Sequence, residues 1–136
     1  AVGLGQLASL PERLARMRRT YAAYAEGLRG LEGARLIGFR IEDGESPQWV
    51  DALSEERDRL VEFLHDRGAE CRRFWFPLHT QPPYRQPDER FPHSTVAAAK
   101  AFWLPSGLRM TDADVAAVCG FVRECFERAP SGSQSR

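Results

Sequence analysis

The apolar positions near the start of the chain follow a helical repeat. They recur every three or four residues, at Leu7, Leu10, Leu14, Met17, Tyr21, Tyr24 and Leu28. This spacing places them on one face of an α-helix. Ser9, Pro11 and Glu12 suit an N-cap, a first-turn proline and a capping-box partner, so one possibility is a helix that begins there. The other is a longer helix that bends at Pro11. This apolar stripe is long for a small domain. We therefore predict that it packs on the surface of something that the chain lacks.

Four short segments have the composition of strands. They are rich in aromatic and aliphatic residues and are bounded by glycine, proline or polar turns, at residues 34–41, 49–53, 69–77 and 102–105. Alternation of apolar and polar positions is clearest in 49–53. The third segment ends at Pro77, because proline cannot continue a paired strand.

Three further helices are indicated by their starting residues. Ser54 and Thr111 are predicted N-caps, the latter with Asp114 as its capping partner, and Ser94 opens a short alanine-rich helix. Gly68 ends the helix that follows Ser54. The predicted buried faces are Leu60, Val61 and Leu64 in the first of these helices, and Val115, Val118, Cys119, Val122 and Cys125 in the last.

The order of these elements predicts an α+β (α/β) fold. Two adjacent strands, then a helix, a strand, a helix and a strand, favour a small, largely antiparallel sheet with helices packed on one face. We divide the chain into three parts. Residues 1–30 form the long helix, residues 31–129 form the small α/β domain, and residues 130–136 form a polar tail that is expected to be disordered.

The segment FWFPLHTQPPY, residues 74–84, carries the densest candidate chemistry. His79, Gln81 and Tyr84 lie in it, and Arg72 is on the strand that enters it. Imidazole, amide, phenol and guanidinium groups can together bind hydroxyls and phosphates, with aromatic rings as a stacking wall. The prolines argue against a floppy linker. From residue types alone, ligand binding and a packed aromatic corner remain equal alternatives.

The composition of the chain argues against several classes of function. Basic and acidic residues number 19 each and are spread along the chain, so the basic stripe of a nucleic-acid interface is missing. Lys100, the only lysine, precedes the apolar pair Ala101 and Phe102 and is predicted to be a surface residue, not a Schiff-base lysine. The three cysteines lack metal or disulfide spacing. No apolar run reaches membrane-spanning length, and we expect a reduced, cytoplasmic protein without a bound metal.

Four motifs occur in a recognisable order: AVGLGQL (1–7), SPQWVDAL (46–53), CRRFWFPLHTQPPY (71–84) and FWLPSGLRMTDADV (102–115). From residue 1 to about residue 122, the chain resembles the C-terminal part of the DegT/DnrJ/StrS sugar aminotransferases. The third motif is most similar to enzymes that aminate a 4-keto sugar, of the perosamine synthase type, although Arg73 stands where those enzymes tend to have proline.

The resemblance implies a fold, a reaction and partners. The fold would be that of the C-terminal small domain of a fold type I, pyridoxal phosphate-dependent transferase. The reaction would convert a keto group on a nucleotide-linked sugar to an amine, with glutamate as the usual donor. His79, with Tyr84 and Arg72, would face the nucleotide-sugar, and Gln81 of the same loop is the fourth candidate, from its residue type. The cofactor and its lysine would belong to an N-terminal large domain that this chain lacks, in an enzyme that is a homodimer.

Two consequences of this resemblance are open to test. The chain alone is expected to have no transaminase activity, and the long helical stripe would pack on the missing domain or on a second subunit. The alternative function is a free-standing, non-catalytic module that binds a nucleotide-sugar or a partner protein. A nucleic-acid binder has only the arginine content in its favour.

Overall fold

Four antiparallel strands form a single sheet. The computed structural model describes residues 2–127, apart from the side chain of Val2. Its strands are β1 (Arg35–Leu36), β2 (Val50–Leu53), β3 (Arg72–Arg73) and β4 (Ala101–Leu104). They lie in the order β1-β2-β4-β3, and each neighbouring pair is antiparallel. The predicted small antiparallel sheet is therefore confirmed.

Five helices accompany the sheet in the described residues. They are α1 (Val2–Leu7), α2 (Leu10–Gly27), α3 (Arg57–His65), α4 (Pro92–Lys100) and α5 (Asp112–Glu127). Helices α2, α3 and α5 contribute to one continuous core, whereas α4 has no buried residue. None of the helices in residues 2–127 is long and apolar enough to cross a membrane.

Successive side chains of the two central strands lie on opposite faces of the sheet. Val50 and Ala52 of β2, and Phe102 and Leu104 of β4, are buried in the core with the three helices. Because successive strand residues point to opposite faces, Asp51 and Trp103 lie on the second face of the sheet. We call this the outer face. The predicted placement of helices against one face is thus confirmed for α2, α3 and α5.

The N-terminal region shows features of both predicted alternatives, a helix that begins near Ser9 and a longer helix that bends there. A short helix, α1, precedes α2, and the chain turns between them at Ala8 and Ser9. Ser9 occupies the predicted N-cap position of α2, but the side-chain cap does not form. The Ser9 hydroxyl donates to the Gln6 carbonyl oxygen at 3.1 Å and accepts no hydrogen bond from an α2 backbone N–H. The stripe itself is buried only in its second half. Its exposed members are Leu7, Leu10 and Leu14, and its buried members are Met17, Tyr24 and Leu28.

Two strands are shorter than predicted. Segments 34–41 and 69–77 each contribute only two ladder residues, because β1 and β3 lie at the edges of the sheet and each pairs with one strand only. Helix α4 begins at Pro92, two residues before the predicted Ser94. Proline at the first helical position loses no hydrogen bond, which allows the earlier start. The predicted disordered tail lies outside the described residues.

Two other local signals are confirmed, and one is displaced. At the start of α5, Thr111 Oγ1 accepts from the Asp114 N–H at 3.2 Å, and the Asp114 carboxylate accepts from the Thr111 N–H at 2.7 Å. The predicted N-cap Ser54 is wrong by two residues, because α3 begins at Arg57 with Glu56 at its N-cap position. Ser54 Oγ instead accepts from the Glu56 N–H at 3.1 Å in the turn that precedes the helix. Gly68 has a φ of 76°, a conformation that suits glycine after a helix.

Candidate functional site

The segment between β3 and α4 is a folded loop. Three 3₁₀ turns succeed one another in it: Leu78–Thr80, Pro82–Tyr84 and Asp88–Arg90. The Gln86 N–H donates to the His79 carbonyl oxygen at 2.9 Å, which joins the first turn to the approach of the third. The prolines at each turn restrict the backbone, so the loop presents its side chains from a defined scaffold.

His79 holds this loop together. Its side chain is buried, and the residue is only 5% exposed. The imidazole stacks on Phe91, with ring centroids 4.6 Å apart and planes at 19°. Its Nε2 lies 3.0 Å from Asp88 Oδ1 and 3.3 Å from Thr95 Oγ1. One imidazole therefore connects the first turn, the third turn and α4.

A small cavity of about 180 Å³ opens beside this imidazole. It is lined by Leu78, His79, Tyr84, Gln86, Phe91 and Ser94. Two of the four predicted site residues, His79 and Tyr84, thus meet at one cavity. Imidazole, phenol, amide and hydroxyl groups around an apolar wall can bind a small hydroxylated ligand.

The other two predicted site residues lie elsewhere. Gln81 is exposed at the junction of the first two turns. Arg72 is on β3, directly opposite Trp103 of β4, and is also exposed. The structure therefore brings His79 and Tyr84 together, and places Arg72 on the sheet.

A cluster of aromatic rings that sequence reasoning missed lies beside Arg72. Trp103 stacks on Trp49 at a centroid distance of 4.9 Å, and meets Phe74 and Trp75 edge to face at 5.8 and 5.0 Å. We call these four residues the tryptophan cluster. The alternation in residues 49–53 was the available signal, since it places Asp51 on the same face as this cluster.

Asp51 is the polar member of this surface. Burial raises the pKa of its carboxyl above the ordinary value, and the neighbouring Trp103 indole N–H opposes the rise. The Asp51 Oδ1 and Trp103 Nε1 atoms are both buried, and neither reaches hydrogen-bond geometry with any described residue. An ionised Asp51 is therefore poorly solvated in the folded chain.

Replacing Asp51 with asparagine is expected to stabilise the chain at neutral pH. The folded pKa of Asp51 lies above its unfolded value, so ionisation of this group costs stability as the pH rises through that range. Thermal melts should show a rise of about a few degrees at pH 7. The gain should vanish below the ordinary aspartate pKa of about 3.9, where both states are protonated. The exposed Asp43→Asn variant serves as control, and a gain of equal size at both pH values would contradict the assignment.

Comparison with known proteins identifies the family. The model of the DegT/DnrJ/EryC1/StrS aminotransferase family matches residues 1–123. The chain belongs to this family. Its fold agrees, because solved structures of sugar aminotransferases in this family contain the same arrangement of sheet and helices.

Three relatives illustrate the similarity. EpsN of Bacillus subtilis, named as a pyridoxal phosphate-dependent aminotransferase, is 30% identical over an alignment of 121 positions, which covers 82% of this chain and 31% of EpsN. GDP-perosamine synthase of Escherichia coli O157:H7 is 24% identical over 93% of this chain and 35% of its own length. The crystal structure of DesI in the presence of its TDP-sugar product superposes with a TM-score of 0.81 at 32% identity, covering 93% of this chain and 34% of DesI. The chain spans about a third of the length of the relatives it matches.

Lys100 does not fit the aldehyde cofactor of such aminotransferases. Its Nζ donates to Glu55 Oε1 at 2.6 Å, and its side chain is 36% exposed. A lysine that forms a Schiff base needs a desolvated site that favours the neutral amine, whereas a carboxylate partner favours the ammonium form.

Among the described residues, no three histidine, cysteine or acidic side chains form a metal site. Burial raises the pKa of the Cys71 thiol to about 12, so it is unreactive.

Proposed function

We propose that this chain is part of a pyridoxal phosphate-dependent aminotransferase that aminates a keto group on a nucleotide-linked sugar. Its loop at residues 74–92 would contribute one wall of the sugar site. The observation that carries the proposal is the cavity shared by His79 and Tyr84. Membership of the family and the names of the relatives, GDP-perosamine synthase and the TDP-sugar enzyme DesI, support the substrate class.

The chemistry of the cavity suits a sugar. The Tyr84 hydroxyl makes no hydrogen bond within residues 2–127, and the residue is exposed, so the hydroxyl is available to a ligand. His79 is already positioned by Asp88, Thr95 and Phe91, which removes much of the entropy cost of ordering it. Gln81 and Arg72 would approach the same ligand from the loop and from β3.

The cofactor and its lysine would come from another part of the enzyme, with glutamate as the amino donor. The ion pair of Lys100 with Glu55 supports this division, since it leaves the lysine unsuited to the cofactor. Exposed leucines at Leu4, Leu7, Leu10 and Leu14 mark a surface on α1 and α2 that suits a further domain or the second subunit of a homodimer. Residues 1–30 would thus connect the small domain to the remainder.

Replacing His79 with alanine is expected to weaken binding of a nucleotide-linked keto-sugar about tenfold or more. A lost hydrogen bond from a preorganised buried group costs about 1–3 kcal/mol. Calorimetric titration of the chain with TDP- and GDP-linked sugars measures the effect. The matched control is His93→Ala, at an exposed position of α4.

Tyr84→Phe is a second variant that removes only a hydroxyl and leaves the loop packed. It should weaken binding about fivefold, within the range of a neutral hydrogen bond. Circular dichroism establishes that both variants fold. Unchanged affinity in folded His79→Ala and Tyr84→Phe would show that this cavity is not the sugar site.

A further inference from the structure

Three side chains form a straight row across the outer face of the sheet. Trp103 of β4 pairs with Asp51 of β2 on one side and with Arg72 of β3 on the other. Directly opposed residues of antiparallel strands point to the same face. Since adjacent strands are about 4.8 Å apart, the carboxylate and the guanidinium originate about 10 Å apart, with the indole between them. We call these three residues the cross-strand row.

Exposed rings surround the centre of this row. Trp49 is 40% exposed and Trp75 is 64% exposed, although both contact Trp103. Leu78 is also exposed and lines the cavity beside His79, three residues along the chain from Trp75. Exposed indoles are costly in water, and a contiguous set of them marks a binding surface. Their flat faces suit a planar aromatic ligand.

The charges at the two ends of the row are not used inside the chain. The Arg72 side chain makes no ion pair or hydrogen bond within the described residues. The next residue, Arg73, is different, because its Nε lies 3.1 Å from Oδ1 of Asp58, in the first turn of α3. At the other end, Asp51 Oδ1 and Trp103 Nε1 are buried and neither reaches hydrogen-bond geometry with a described residue, although the nearby indole N–H acts to lower the pKa of Asp51. The row therefore consists of a carboxylate, an aromatic ring system and a cation, in that order.

We propose that the cross-strand row, with Trp49 and Trp75, binds the nucleoside diphosphate part of the nucleotide-linked sugar. The base stacks on the exposed indoles, and its N–H groups donate to the Asp51 carboxylate. The diphosphate pairs with the Arg72 guanidinium, at the end of the row opposite to the acidic group. This inference rests on the proposed function, and it adds the residues that hold the nucleotide.

A nucleoside diphosphate matches this surface better than a sugar alone. Base stacking on aromatic side chains is favourable for any base, and guanidinium groups pair with phosphate oxygens through two parallel hydrogen bonds. A neutral sugar gives Arg72 no charge to pair with. The order of the groups also sets the orientation, since the diphosphate would be repelled by Asp51.

The chain contains its own reporter for this site. It has three tryptophans, and all of them belong to the tryptophan cluster. Tryptophan fluorescence during titration with GDP and with TDP therefore reports on this surface alone. We expect saturable quenching with both diphosphates, and no quenching with free glucose.

Two arginine variants from adjacent positions provide a matched pair. Arg72→Gln should weaken GDP binding about tenfold or more, because a charge-assisted pair is lost, and should leave quenching by guanosine unchanged. Arg73→Gln removes the same charge one residue later and should leave GDP affinity unchanged. Trp75→Ala should weaken GDP and guanosine alike by about tenfold.

The outcomes separate this inference from the proposed function. Absence of quenching by GDP and TDP, or equal effects of Arg72→Gln and Arg73→Gln, overturns the nucleotide site. If a nucleotide-linked sugar still binds to the chain, and if this binding requires His79, the proposed function remains valid without the nucleotide site. Two results together would support the nucleotide site and overturn the sugar cavity. They are quenching that depends on Arg72, and sugar affinity that is unchanged when His79 or Tyr84 is replaced.

Discussion

Replacing Tyr24 with alanine is expected to destabilise the chain by about 3–5 kcal/mol, the range for removal of a large aromatic side chain from a core. Tyr24 is fully buried in the helix that crosses the core, and its hydroxyl donates to the Pro105 carbonyl oxygen at 2.7 Å. Burial raises the pKa of this phenol far above its ordinary value, so the group stays a neutral donor. The side chain thus fixes α2 to the turn that follows β4.

Tyr24→Phe separates the two contributions. It keeps the ring and leaves the Pro105 carbonyl without this donor, which should cost about 1–2 kcal/mol. Denaturant unfolding of both variants measures the free energies. Tyr84→Phe, at an exposed position outside the core, should change stability by less than about 0.5 kcal/mol. A loss below about 1 kcal/mol for Tyr24→Ala would contradict the role of Tyr24 in the core.

Gly33→Ala is expected to destabilise the chain by about 2–5 kcal/mol. The φ of Gly33 is 101°, a conformation that disfavours any side chain by about 1–2 kcal/mol. A Cβ at this position would also lie 2.6 Å from Phe126 Cδ1, and overpacking of this kind costs about 1–3 kcal/mol. The segment that leads into β1 therefore requires glycine where it passes α5.

Gly30→Ala is the control for this effect. Gly30 also has a positive φ, of 70°, but a Cβ there would meet no atom within 4 Å. Gly30→Ala should therefore introduce backbone strain without a steric contact, and should lower the free energy of unfolding by about 1–2 kcal/mol. Thermal or denaturant unfolding of the two variants gives the difference directly. Equal losses for Gly30→Ala and Gly33→Ala would show that contact with Phe126 is unimportant.

The sequence was most informative where structure depends on near neighbours. The capping pair Thr111 and Asp114 is three residues apart, and its hydrogen bonds form as predicted. Strand lengths could not be predicted in the same way. Whether residues 34–41 continue as a strand depends on a partner elsewhere in the chain. At the edge of the sheet the ladder includes Arg35 and Leu36, and the Ile37 N–H adds one further bond to the Asp51 carbonyl oxygen.

The same distinction applies to the candidate site. His79 and Tyr84 are five residues apart in a proline-restrained loop, so composition was enough to suggest that they act together. Asp51, Arg72 and Trp103 come from three distant segments, and only the strand register aligns them. Sequence reasoning proposed Arg72 as a ligand-binding residue, and the alternation in residues 49–53 placed Trp49 and Asp51 on one face. It could not show that Trp103 and Arg72 lie beside them, because that depends on the strand register.

The two-residue length of β1 and β3 has a consequence for behaviour in concentrated solution. Unpaired backbone groups at the edge of a sheet can recruit strands from other molecules and start aggregation. In this sheet the four-residue strands β2 and β4 are both interior, and each edge offers only two residues to an incoming chain. The edge β3 also consists of two arginines, whose charges repel another copy of itself. The fold thereby protects its sheet from intermolecular β-pairing.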